Sequence, residues 1–219
     1  MEDLLKYYME KFNITDKDVD KKSHGNPKMY RPMAKELIGN QIIKKYDLFD
    51  ILFPENIGVV REVGVKAQKA GVDYIIYFPT LDENNKKKIY VDLKSLVGED
   101  YHMTESDYLT DYMGTRKYDM IGAPVELYQN GIYTNSSSKY TDFVLYTFAT
   151  KSGIYYSLVS YRKIQEISLA NIREVVKDSN GETARWTWKG NIYKVHTSNN
   201  GSGRYIKVPF KTNQIVINR

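Results

Sequence analysis

Three side chains in the first half of the chain have the types and spacing for metal-assisted phosphate chemistry. Asp73 opens the apolar run Asp73-Tyr74-Ile75-Ile76-Tyr77-Phe78, and Asp92 and Lys94 close a second, Lys88-Ile89-Tyr90-Val91-Asp92-Leu93-Lys94. Both runs are rich in β-branched and aromatic residues. The turn-forming stretch Asp82-Glu83-Asn84-Asn85-Lys86-Lys87 separates them, the pattern of a β-hairpin with a long loop. An antiparallel return sets the start of the first strand beside the end of the second, so Asp73 is expected near Asp92. Asp92 and Lys94 stand two apart and share one strand face. Paired carboxylates are hard oxygen ligands for Mg²⁺, with Mn²⁺ as a substitute, and leave room for water and a phosphate. Such an ion polarises a phosphodiester and lowers the pKa of the attacking water. Lys94 would orient or deprotonate that water, or stabilise the charged phosphorane. The same groups also permit an ion pair that serves the sheet edge alone, since a charge beside Ile75, Ile76 and Val91 needs a partner if it is buried.

The elements around this hairpin follow from periodicity. Leu4, Leu5, Tyr8 and Phe12 predict a helix over 1–12, and the polar stretch 13–27 predicts a loop or short helix. Met33, Leu37, Ile38, Ile42 and Ile43 form the apolar stripe of a helix over 31–46, with Pro32 suited to its first turn. A strand over 59–65 precedes the hairpin. Thr104-Glu105-Ser106-Asp107 starts a helix that runs to Met120, or two short ones parted at Gly114, ended by Gly122-Ala123-Pro124. Strands over 142–150 and 154–161 turn at Lys151-Ser152-Gly153, and a helix is expected over 163–177. Beyond it, short alternating segments separated by Gly and Asn form a β-rich lobe. The expected fold is α/β with a mixed sheet, organised as an N-terminal helix and loop (1–29), a core (30–161) and a C-terminal lobe (162–219).

In order, a helix carrying Glu36, three strands with Asp73 on the second and Asp92-Leu93-Lys94 on the third, then a helix and a strand, this chain resembles the PD-(D/E)XK nuclease superfamily. That superfamily includes restriction endonucleases, phage exonucleases and Holliday junction resolvases. The resemblance covers roughly residues 30–150 and implies a restriction-endonuclease-like α-β-β-β-α-β core. Asp73 stands at the first acid, Asp92 at the second and Lys94 at the lysine; Val72 replaces the proline of the family's name. The resemblance further implies Glu36 as an added metal ligand and the Leu93 backbone carbonyl as another. The expected activity is Mg²⁺-dependent hydrolysis of DNA phosphodiester bonds, most simply as a restriction-type endonuclease on double-stranded DNA. Structure-specific or end-directed cleavage, and a non-catalytic nucleic-acid-binding role, remain alternatives.

Composition sets the partners. The 219 residues carry a net charge of +5 with a pI near 9.0, which favours phosphate-rich partners. Cysteine is absent, which removes disulfides, thiolate zinc sites and cysteine nucleophiles. No apolar run reaches the length of a membrane span and no secretory signal is evident at Met1, so the expected site is the cytoplasm. DNA contacts are expected from Lys87 and Lys88 on the hairpin, Arg116 and Lys117, Arg185, Trp188 and Lys189, and Arg204 and Lys207. The two tryptophans serve equally well as core of the C-terminal lobe. If that lobe reads sequence, a homodimer would present two lobes to a palindromic site.

Overall fold

The computed structural model describes residues 3–61, 71–79, 87–98, 101–103, 120–126, 141–169, 176–177, 184–188, 191–194, 196–197 and 204–215. The helices are α1 (Leu4–Lys11), α2 (Asp16–Ser23), α3 (Pro27–Lys45), α4 (Leu48–Leu52) and α5 (Tyr161–Leu169). The strands are β1 (Gly58–Arg61), β2 (Tyr74–Phe78), β3 (Lys87–Val97), β4 (His102–Met103), β5 (Met120–Ile121), β6 (Ala123–Glu126), β7 (Phe143–Thr150), β8 (Gly153–Ser160), β9 (Val176–Lys177), β10 (Ala184–Trp188), β11 (Asn191–Lys194), β12 (His196–Thr197), β13 (Arg204–Val208) and β14 (Asn213–Ile215). The fold is mixed α/β with a mostly antiparallel mixed sheet. Two compact units share the chain: Met1–Glu99 with Tyr140–Leu158 and Asn213–Arg219, and Asp100–Lys139 with Val159–Thr212.

The first unit is built on a six-stranded sheet in the order β1-β2-β3-β7-β8-β14. β1, β2 and β3 pair antiparallel, and β3 then pairs parallel with β7, from Val91 opposite Phe143 to Val97 opposite Ala149. Strand alternation sorts the side chains. Tyr74, Ile76, Val91, Leu93 and Leu145 bury together against Ile43, Leu48 and Phe49, so one sheet face is covered by α3 and α4. A second cluster joins Leu5, Tyr8, Phe12 and Val19 to Ala34, Ile38 and Ile42 and to Val97 and Ala149, which adds α1 and α2 on α3. The Tyr8 hydroxyl donates to the Thr150 carbonyl at 2.7 Å and pins α1 to the end of β7.

Local signals explain the helix ends. Asp3 caps α1 by accepting from the Leu5 N–H. Thr15 and Asp18 form a reciprocal capping box, which makes a helix of the polar stretch before Pro27. The third helix begins earlier than the apolar stripe indicates, because the Asn26 side chain caps it and Pro27 takes its first position. Pro32 therefore lies inside the helix rather than at its start.

In the second unit, β12, β13 and β6 form one three-stranded sheet, β11, β10 and β9 another, and β4 pairs with β5. Three expectations are corrected here. Gly122-Ala123-Pro124, read as a helix terminator, leads into strand β6, where Ala123 pairs with Val208 and Pro124 with Lys207. β6 lies at the edge of its sheet, a position that tolerates proline. The helix expected to reach Lys177 instead covers Tyr161–Leu169, and Val176 and Lys177 pair with Arg185 and Ala184 in β9; strand pairing of a β-branched residue overrides the helical period. Met120, expected at a helix end, lies in β5 opposite Met103. The remainder of that predicted helix, 104–119, lies outside the described residues.

At Gly39, α3 approaches the sheet closely. A Cβ there would stand 1.7 Å from Ser95 Oγ and 3.2 Å from Thr147 Oγ1. Both hydroxyls are buried and make no hydrogen bond among the described residues. Gly39→Ala is expected to lower unfolding free energy by about 1–3 kcal/mol in urea titration, the magnitude of overpacking. Ser95→Ala, which removes an unpaired buried hydroxyl, is expected to be neutral or stabilising. A neutral Gly39→Ala would contradict the close contact.

Candidate active site

The register of β2 on β3 determines the site. Tyr74 stands opposite Val91, so one step outward Asp73 stands opposite Asp92. The Asp73 N–H donates to the Val91 carbonyl at 2.9 Å, and its carboxylate Oδ2 accepts from the Leu93 N–H at 2.7 Å. Asp73 thus ends the ladder with its side chain turned back onto β3. Asp92 is 4% exposed. Its carboxylate accepts from Lys94 Nζ at 3.0 Å. Since Val91 and Leu93 face α3 and α4, Asp92 and Lys94 lie on the other sheet face. In a strand the N–H and C=O of one residue point to the same side. The Leu93 carbonyl therefore shares the side on which its N–H meets Asp73.

Two residues that sequence reasoning did not single out hold this end of the sheet. The Thr141 hydroxyl donates to the carbonyl of Gly71, which has a positive φ of 67°. Asp142 binds both peptide groups of Tyr90: its N–H donates to the Tyr90 carbonyl at 2.9 Å and its carboxylate accepts from the Tyr90 N–H at 2.9 Å. Thr141 and Asp142 thereby fix the chain before Asp73 and the entry of β7 on the two sides of β3. The available signal was a hydroxyl and an acid immediately before the apolar run of β7.

Burial raises the Asp73 carboxyl from 3.8 to about 6. The neighbouring Asp92 charge adds to the rise, while the Leu93 N–H and Lys94 oppose it. Tyr74, next in sequence, is pushed up to about 12, mainly by burial; Arg61 opposes the rise, and the charges of Asp73 and Glu36 add to it. Its hydroxyl donates to the Asn40 side-chain oxygen on α3.

Glu36 is not part of the Asp73–Asp92 pair. Its carboxylate accepts from Lys22 of α2 and pairs with Arg61 of β1 at 3.3 Å. Its helix packs on the sheet face opposite Asp92, and two cations already neutralise it. Among the described residues no group of three or more His, Asp or Glu side chains is close enough to hold a metal ion. Ser95, beside the motif, faces Gly39 of α3 and not the side of Asp92.

The expected DNA contacts divide. Lys87 and Lys88 are exposed at the start of β3, and Lys88 Nζ stands 5.6 Å from the Tyr77 ring centre. Lys88 shares the strand face of Asp92. Lys207 is 9% exposed on β13, so its stem packs within its unit and does not lie open to a phosphate backbone. Arg185 and Trp188 lie on β10 opposite Lys194 and Asn191, and Arg204 on β13 opposite Thr197. Arg116, Lys117 and Lys189 lie outside the described residues. No described helix is long and apolar enough to cross a membrane. Comparison with protein-family models and with curated proteins gave no match to this chain.

The raised Asp73 value has a definite sign in stability. Between about 4 and 6 the folded state binds more protons than the unfolded state, so folding stability falls as pH rises through that window. Asp73→Asn removes the burial penalty and keeps an acceptor for the Leu93 N–H. Without divalent metal, the variant is expected to melt above the wild type at pH 7.5, with the gap closing towards pH 4. A wild type that melts higher at pH 7.5 would contradict this.

Proposed function

We propose that this protein is a metal-dependent deoxyribonuclease of the PD-(D/E)XK type, a restriction-type endonuclease that hydrolyses phosphodiester bonds in double-stranded DNA. The observation that carries this reading is the cross-strand pair of Asp73 and Asp92 with Lys94 bonded to Asp92 on the same side. The donor set fits Mg²⁺, which is usually held by one or two carboxylates together with water and substrate phosphate. Asp73 and Asp92 would hold the ion, with the Leu93 carbonyl as a further oxygen on the same side. A third carboxylate is not needed, so the engagement of Glu36 by Lys22 and Arg61 is compatible with the reading. The ion, when bound, activates water and neutralises charge developing on the phosphate.

The chain's own residues do the rest. The Leu93 N–H holds the Asp73 carboxylate on β3, beside Asp92. Lys94, bonded to Asp92, brings an ammonium to the edge of the pair, in place to donate to a non-bridging phosphate oxygen or to orient the attacking water. Lys88 and Lys87, up the same strand, supply positive charge for the backbone beyond the scissile phosphate.

A second reading rests on the same Lys94–Asp92 bond as a closed structural pair in a DNA-binding module that does not cleave. Plasmid nicking in Mg²⁺ separates the two. The nuclease reading expects wild-type cleavage that falls at least about 100-fold in Asp92→Asn and in Lys94→Ala. It also expects Mg²⁺ to raise the melting temperature of the wild type and not that of Asp92→Asn. Cleavage retained in both variants would overturn it.

A further inference from the structure

The C-terminal ends of α1 and α3 meet in a hollow of about 270 Å³ lined by Lys11, Phe12, Asn13, Gln41, Lys44 and Lys45. No part of the candidate active site contributes to it. Phe12 is 7% exposed and forms its apolar floor. Lys45 Nζ stands 5.6 Å from the Phe12 ring centre, and Lys11 Nζ stands 5.7 Å from that of Tyr7 and 5.5 Å from that of Tyr8. Asn13 takes a left-handed conformation (φ 54°), and its N–H donates to the Glu10 carbonyl at 3.1 Å. The next residue, Ile14, returns to the core with its N–H on the Met9 carbonyl at 2.8 Å. The wall of the hollow is therefore a fixed turn between two packed elements.

Among the described residues, none of the three lysines is paired with a carboxylate. A cation in a helix's last turn is favoured by the helix dipole, which accounts for each lysine separately. It does not account for lysines of two helices lining one hollow beside two side-chain amides, with no acid in the lining. Three ammoniums and two amide N–H₂ groups are the donor set for a phosphate monoanion. Aromatic rings hold the Lys11 and Lys45 ammoniums by cation–π contact.

We propose that this hollow holds a backbone phosphate of duplex DNA away from the scissile bond. The inference rests on the proposed reading that duplex DNA is the partner of this chain. Salt-dependent binding is its direct readout, because each phosphate contact contributes about 0.9 to the slope of log K against log salt.

The test is fluorescence anisotropy of the full chain with a 20-base-pair duplex (about two helical turns) in EDTA, across a salt series. Wild type, Lys11→Gln/Lys44→Gln/Lys45→Gln and the matching triple arginine variant would be compared. The glutamine variant is expected to bind about tenfold more weakly with a slope smaller by about 0.9 or more, and the arginine variant to keep the wild-type slope. Circular dichroism and the thermal melting temperature check that the fold is intact in each. An unchanged slope in the glutamine variant, or no wild-type binding to the duplex, overturns the proposal. Plasmid nicking is scored in parallel. If the slope falls as expected and the wild type does not nick, the hollow stands and the nuclease reading fails. If the wild type nicks and the slope is unchanged, the reverse holds.

Discussion

The hydrogen bond from the Leu93 N–H to the Asp73 carboxylate, at 2.7 Å, is the interaction on which the site depends. It forms only if β2 pairs with β3 in the observed register. A slip of one residue would turn Asp92 and Lys94 onto the face covered by α3 and α4 and take Val91 and Leu93 off it. The register is strongly specified because that face is a dense aromatic and aliphatic core: Tyr74, Ile76, Val91 and Leu93 bury against Phe49 and Leu48. Packing on one side of the sheet thereby decides which charges stand on the other.

The electrostatics follow from this geometry. A buried carboxylate opposite a second carboxylate is a destabilising arrangement at neutral pH, only partly offset by the Leu93 N–H and Lys94. Such perturbed carboxylates are found both at functional sites and in structural ion-pair networks. Thr141 and Asp142 support the same point from the β7 side, so the site is held by backbone bonds on two neighbouring strands rather than by a loop.

The hairpin and the placing of Asp73 beside Asp92 were legible in the sequence, and the reasons are local. The β-branched runs and the polar turn predict the hairpin, period two places Asp92 and Lys94 on one face, and the run boundaries set Asp73 beside Asp92. What was not legible depends on packing between distant elements. Glu36 has a fitting type and position, but Lys22 of α2 and Arg61 of β1 reach it first, contacts that no periodicity reveals. Lys207 reads as a surface cation in an alternating strand, yet it is buried on β13. Pro124 reads as a terminator, yet an edge strand accepts it. The start of α3 was legible in Asn26-Pro27, though the apolar stripe that begins at Met33 drew the boundary inward.

The central claim is that Asp73 and Asp92 form one cation-holding pair. Carbon-13 NMR titration of carboxyl-labelled aspartate, with Asp73→Asn for assignment, follows Asp73 directly in the absence and presence of Mg²⁺. The account predicts a titration near pH 6 without the ion and a fall of at least about one unit with it. An Asp73 titration that Mg²⁺ leaves unmoved would contradict the account.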